Sequence, residues 1–93
     1  MHEKRKLEHL EICLNRNVQS ATTTGLERYR LVHRALPEMA LGDVDMRARF
    51  LGHDLAAPVL ISAMTGGTEM AQMVNANLAM AAQALGLAMG LGS

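Results

Sequence analysis

The sequence predicts an α/β protein organised on a parallel sheet, and three adjoining stretches carry that prediction. Val59, Leu60 and Ile61 form a short apolar run rich in β-branched residues, opened by Pro58 and closed by Gly66 and Gly67, which reads as a strand buried on both faces. From Thr68 the pattern turns helical. Thr68 with Glu69 just inside is a cap, and Met70, Met73, Val74, Asn77, Leu78, Ala81 and Leu85 recur at three- and four-residue steps until Gly86 stops the helix. Leu87 to Gly90 resembles a second strand, and Gly92-Ser93 repeats the small-polar ending of the first. Strand, helix and strand make one β-α-β unit.

The crossover in such a unit brings both strands in parallel, so Met64-Thr65-Gly66 and Gly92-Ser93 emerge on the same edge of the sheet. That edge, at the C-terminal ends of parallel strands, is where α/β proteins place their ligands. Backbone amides at Thr65-Gly66-Gly67 lack bulky side chains in front of them and suit a flat or anionic ligand. The plainer alternative is that the glycines only turn the chain.

The elements before the unit follow from the N-terminus. Glu3 to Asn17 predicts a charged amphipathic helix with Leu7, Leu10, Leu14 and Val18 along one stripe, and Cys13 beside it as a small packed residue. Arg5 and Lys6 point away from that stripe, with His9 one turn beyond Arg5. They form either a solvated helix start or an anion clamp, in which Arg5 offers a planar fork and Lys6 a mobile point charge. Asn15 to Gly25 is a polar loop, and Leu26 to Pro37 holds Arg28, Arg30, Arg34 and His33 with strand and irregular coil both open. Those arginines either add to an anion site or pair with Glu27 and Glu38. Asp43 and Asp45 are turn and cap residues, since no further oxygen ligands follow at metal-loop spacing. Phe50 to Leu55 predicts a small hairpin about Gly52.

Composition bounds the function. Nine basic and nine acidic residues, one Tyr, one Phe and no Trp leave neither a phosphate-tracking face nor stacking platforms, so no nucleic-acid partner is expected. Apolar stretches fall short of the roughly 18 residues of a spanning helix, and no signal-peptide core follows the basic start. A soluble cytoplasmic protein without a membrane partner is expected, with the single Cys13 fitting a reducing compartment. No Walker pattern occurs, and Gly86, Gly90 and Gly92 do not make a dinucleotide fingerprint. A closed α/β barrel needs about 250 residues, so 93 residues with one β-α-β unit predict an incomplete chain or one that assembles.

Four blocks in order and spacing carry a resemblance: R-K-L-E-H-L at 5 to 10, T-T-G-L-E-R-Y-R-L-V-H-R-A-L-P-E at 23 to 38, A-P-V-L-I-S-A-M-T-G-G-T at 57 to 68, and M-G-L-G-S at the end. Together they resemble type 2 isopentenyl diphosphate isomerase. The resemblance implies an FMN-containing (β/α)₈ TIM barrel that interconverts isopentenyl and dimethylallyl diphosphate with reduced flavin and Mg²⁺, the flavin being reduced by NADPH or NADH. It implies residues 1–57 as an N-terminal helix and arm and 58–93 as the first β-α-β unit of the barrel. By position, Ala63, Met64, Thr65 and Ser93 match flavin-contacting residues, and Arg5, Lys6, His9 and Ser93 match substrate-binding ones. The resemblance thereby selects the anion-clamp alternative. Leu26 stands where a bulky aromatic is common, a departure of packing. It implies no metal ligand and no acid or base within these residues, those groups being expected beyond Ser93, and a homo-oligomer at full length. A truncated non-catalytic product and part of another FMN barrel oxidoreductase are the competing expectations.

Overall fold

The computed structural model describes residues 2–92. Helix α1 runs His2–Asn15, one turn of 3-10 helix covers Leu26–Arg28 and another Leu41–Asp43, and strands β1 (Ala48–Phe50) and β2 (His53–Leu55) follow. Strand β3 (Leu60–Ile61), helix α2 (Glu69–Leu85) and strand β4 (Ala88–Met89) complete the order. β3 and β4 pair in parallel, with Leu60 opposite Ala88 and Ile61 opposite Met89, so the β-α-β unit is present as expected.

Local chemistry sets the ends of α2. The Thr68 side chain accepts from the Ala71 amide at 3.0 Å, satisfying one of the helix's orphan donors. At the other end Gly86 adopts φ 67°, its amide donates to Gln83 O, and the Leu87 amide donates to Ala82 O at 2.9 Å. This is a Schellman closure, in which the left-handed residue turns the chain directly into β4. The Ala56 amide donates to Gly86 O at 2.8 Å, tying the entry to β3 against the exit of the helix.

β1 and β2 form the expected antiparallel hairpin, with Phe50 opposite His53 across a two-residue turn. Both turn residues lie at positive φ, Leu51 at 48° and Gly52 at 80°. The pattern is that of a type I′ turn, whose twist matches the strands it joins. Asp43 accepts from the Ala40 amide at 2.9 Å, and Asp45 accepts from the Arg47 amide and guanidinium, so both carboxylates serve turns. Residues 26 to 37 are a short 3-10 turn followed by irregular chain, which resolves the open alternative there.

Burial departs from the sequence expectation in three places. Val59 and Leu60 are half exposed rather than covered on both faces, because among the described residues β3 pairs with β4 alone. The face that α2 turns inward is Ala71, Asn75, Leu78 and Ala82, which shares Leu78 with the expected stripe but is otherwise displaced by about one residue around the helix. Ala71 and Ala82 are 0% and 4% exposed, while Met70, Met73 and Leu85 lie open. On α1, Lys6 and Leu10 are the half-buried positions, and Cys13 is exposed rather than packed, since nothing among the described residues lies beneath that part of the helix. The chain's surface is 8746 Å², against about 5,300 Å² for a compact monomer of its mass. Its radius of gyration, 18.2 Å, exceeds the roughly 12 Å of a compact domain of this length.

Candidate functional site

A cleft of about 270 Å³ lies where the first turns of α1 meet the loop that leaves β3. His2, Arg5, Lys6 and His9 line it from the helix, and Ala63, Met64, Thr65, Gly66 and Gly92 from the strand ends. The helical contribution has a simple origin: positions 2, 5, 6 and 9 recur at three- and four-residue steps and so share one face. Two cations and two imidazoles therefore face a stretch of small residues and backbone.

The floor is built by close approach of backbones. The Gly90 amide donates to Ile61 O at 2.8 Å, extending the parallel pairing past β4. Beyond it, a Cβ placed on Gly92 would lie 3.1 Å from Thr65 O, so the two strand ends run as near to each other as a side-chain-free residue permits. The same Thr65 carbonyl accepts from Asn75 Nδ2 at 3.0 Å. One helix side chain and one glycine thus hold the loop tip from two sides. Gly66 is buried, and at Gly67, which has φ 74°, the Lys6 side chain lies across the bare α-carbon.

Of the residues marked by the sequence, Arg5, Lys6, His9, Ala63, Met64 and Thr65 meet at this cleft, and Ser93 lies outside the described residues. Arg28, Arg30, Arg34 and His33 do not line it. Glu27 accepts from the Thr23 hydroxyl at 2.6 Å, a bond that holds its carboxyl below the usual carboxylate range. The arginines pair with neither Glu27 nor Glu38 among the described residues. The two loop tips, with Gly66 and Gly92, meet at the cleft as the sequence predicts, whereas sequence reasoning missed His2 and Asn75 as parts of the site. His2 was legible from its spacing to Arg5 and Lys6; Asn75 required knowledge of which face of α2 turns inward. Among the described residues no group of three His, Cys, Asp or Glu side chains is placed to hold a metal, and no helix is long and apolar enough to cross a membrane.

A parallel β-α-β unit whose two strand ends and the cationic face of an adjoining helix line one cleft is the arrangement of a ligand-binding α/β protein. The family described as "FMN-dependent dehydrogenase" matches residues 4–93, and the chain belongs to that family. Its relatives include the isopentenyl-diphosphate delta-isomerase of Synechococcus sp., 57% identical over 91 residues that make up 97% of this chain and 26% of the relative. The proteins of that name from Nostoc sp. and Mycobacterium marinum are each 54% identical, over 98% and 96% of this chain and 26% of theirs. The chain thus spans about a quarter of the length of the curated relatives it matches.

Proposed function

We propose that these residues form the N-terminal part of an FMN-dependent enzyme that isomerises isopentenyl diphosphate to dimethylallyl diphosphate, with 58–93 as the first β-α-β unit of its (β/α)₈ barrel and 1–57 as the helix and arm before it. The observation that carries this reading is the opposition of His2, Arg5, Lys6 and His9 to the small-residue floor of one cleft. Relatives named for that reaction, at 57% and 54% identity, support it.

The floor suits one edge of a flat ring. Gly92 packs directly against the Thr65 backbone, and Ala63, Thr65 and Gly66 put main chain rather than bulk toward the cleft. Its volume of about 270 Å³ is below the roughly 300–1,000 Å³ of complete ligand sites, so these residues supply one wall. Ala63, Met64 and Thr65, with Ser93, are the residues we assign to FMN. Reduced FMN, when bound, supplies part of the acid-base chemistry that moves the double bond.

Arg5 would grip the diphosphate through its planar fork, Lys6 through a compact charge, and His9 through a ring N–H. Their work is to bind the diphosphate's charge and so fix the prenyl chain over the floor, where a proton is added at one alkene carbon and another is removed from a second carbon, the C–O bond to the diphosphate staying intact. None of these side chains is assigned the proton itself. Mg²⁺ at the diphosphate, NADPH as reductant, a cytoplasmic setting and a homo-oligomer complete the proposal.

The test uses full-length protein carrying this segment. It should purify yellow and convert isopentenyl diphosphate under reducing conditions with Mg²⁺, and Arg5→Ala or Lys6→Ala should raise KM about tenfold or more by removing a charge-assisted contact. A colourless protein without conversion overturns the proposal. The family's own description as a dehydrogenase favours one rival, a flavin enzyme oxidising a hydroxy acid. Turnover of such an acid, unaffected by Arg5→Ala, would select it.

A further inference from the structure

We propose that Gly67 is a positioning residue for Lys6: the absence of a side chain there leaves room for the outer end of the lysine, ammonium included, to rest across the loop beside the cleft that Lys6 lines. This rests on the diphosphate reading of the site. A Cβ built on Gly67 would overlap the Lys6 ammonium and lie 2.9 Å from Cδ and 3.0 Å from Cε, so no other residue type leaves the lysine where it is. Lys6 is half-buried while Arg5 and His9 beside it are exposed, which marks the lysine stem as the part of this face that packs on the loop. The ammonium is the nearest of these atoms, so the charged end as well as the last methylenes rests on the bare backbone of the loop. A stem already seated has less freedom left to lose when an anion arrives, which raises affinity without adding a contact.

The geometry also decides what a substitution does. The atoms in the way are the far end of a flexible side chain, not backbone, so the fold accepts a Cβ at Gly67 by letting the lysine swing aside. The lost quantity is then anion affinity rather than folding. Gly67 does lie at φ 74°, where most side chains strain the backbone, but asparagine tolerates this region. Gly67→Asn therefore keeps the backbone conformation and adds the obstructing Cβ, while Gly67→Ala adds both obstruction and strain.

Full-length protein with Gly67→Asn, Gly67→Ala, Lys6→Ala, and Lys6→Ala combined with Gly67→Asn is titrated with inorganic pyrophosphate by calorimetry, with melting followed by circular dichroism. Gly67→Asn and Lys6→Ala each raise the pyrophosphate Kd about tenfold, and the double variant is no weaker than Lys6→Ala. Losses that multiply in the double variant overturn the proposal, as does wild-type affinity in Gly67→Asn alongside a loss in Gly67→Ala, which assigns the effect to backbone strain. An unsubstituted protein that binds no pyrophosphate overturns the diphosphate reading and this inference together. Wild-type binding with no loss in Gly67→Asn overturns the inference alone.

Discussion

Asn75 is the side chain on which the floor of the cleft depends, and replacing it separates a hydrogen-bonding role from a packing one. Its Nδ2 donates to Thr65 O at 3.0 Å from within helix α2. Asn75→Ala loses that bond, worth about 1 kcal/mol net, but gains about 0.6 kcal/mol of helix propensity, so the two nearly offset. Asn75→Asp is the sharper change. It keeps the volume and nearly the propensity, removes the donor, and turns a carboxylate toward a carbonyl that is already half-buried, at a cost of about 2 kcal/mol or more. The urea midpoint of the full-length protein and its FMN Kd by fluorescence quenching read the two variants, with Asn75→Asp expected to fall well below Asn75→Ala in both. If the aspartate variant matches or exceeds the alanine one, the side chain acts by filling space and the bond to Thr65 carries no weight.

Gly92→Ala should weaken FMN binding and lower stability by about 1–3 kcal/mol, because its Cβ would meet, at 3.1 Å, a Thr65 carbonyl that Asn75 prevents from retreating; unchanged midpoints and affinity would refute the close approach. Leu51→Asn should stabilise the hairpin by about 1 kcal/mol, seen as a raised urea midpoint, since Leu51 sits at φ 48° and, at 82% exposure, has little packing to lose. A lowered midpoint would contradict the turn assignment. The Asp45 carboxyl is held below its ordinary value, chiefly by the Arg47 guanidinium and then by the Arg47 amide. Its contribution to the turn is therefore fully present above the ordinary aspartate range and disappears as the pH falls through the lower folded value. A carboxylate NMR titration should place the Asp45 midpoint below that of an unfolded aspartate, and a midpoint at or above it would reject the pairing.

The parts of the fold legible in the sequence were those decided by chemistry within a few residues. Thr68 and Gly86 mark the ends of α2 because a hydroxyl cap and a left-handed stop depend only on adjacent backbone. The hairpin about Gly52 and the parallel pairing of the two short strands follow from equally local signals. The inward face of α2 was not legible for a physical reason. Methionines and alanines alternate around the whole helix, so a rule that buries the largest apolar side chains chooses Met70, Met73 and Val74, whereas close approach of helix to strand chooses Ala71 and Ala82. Asn75 was missed with that face. At the cleft, Arg5, Lys6 and His9 were marked by charge and spacing and the Gly66 and Gly92 tips by the β-α-β crossover, while the close approach of Gly92 to the Thr65 carbonyl becomes visible only once the backbones lie side by side.

That contrast separates what is general in this cleft from what is particular. The floor of Ala63, Thr65, Gly66 and Gly92 consists of main chain and small side chains, and such a surface accepts the edge of any flat ring without selecting what lies above it. On the proposed reading, selection falls to the helix face. A hydroxy acid carries one charge and is matched by a single guanidinium, whereas a diphosphate carries several and is matched by Arg5 and Lys6 together, with His2 and His9 one turn to either side. Exchanging the charges of α1 while leaving the floor intact should therefore change the preferred anion and leave the flavin in place, whereas disturbing Thr65 through Asn75 or Gly92 should release the flavin whatever anion is offered. A variant with Arg5→Ala and Lys6→Ala that lost FMN and diphosphate in equal measure would show that the helix builds the floor rather than selecting what rests on it.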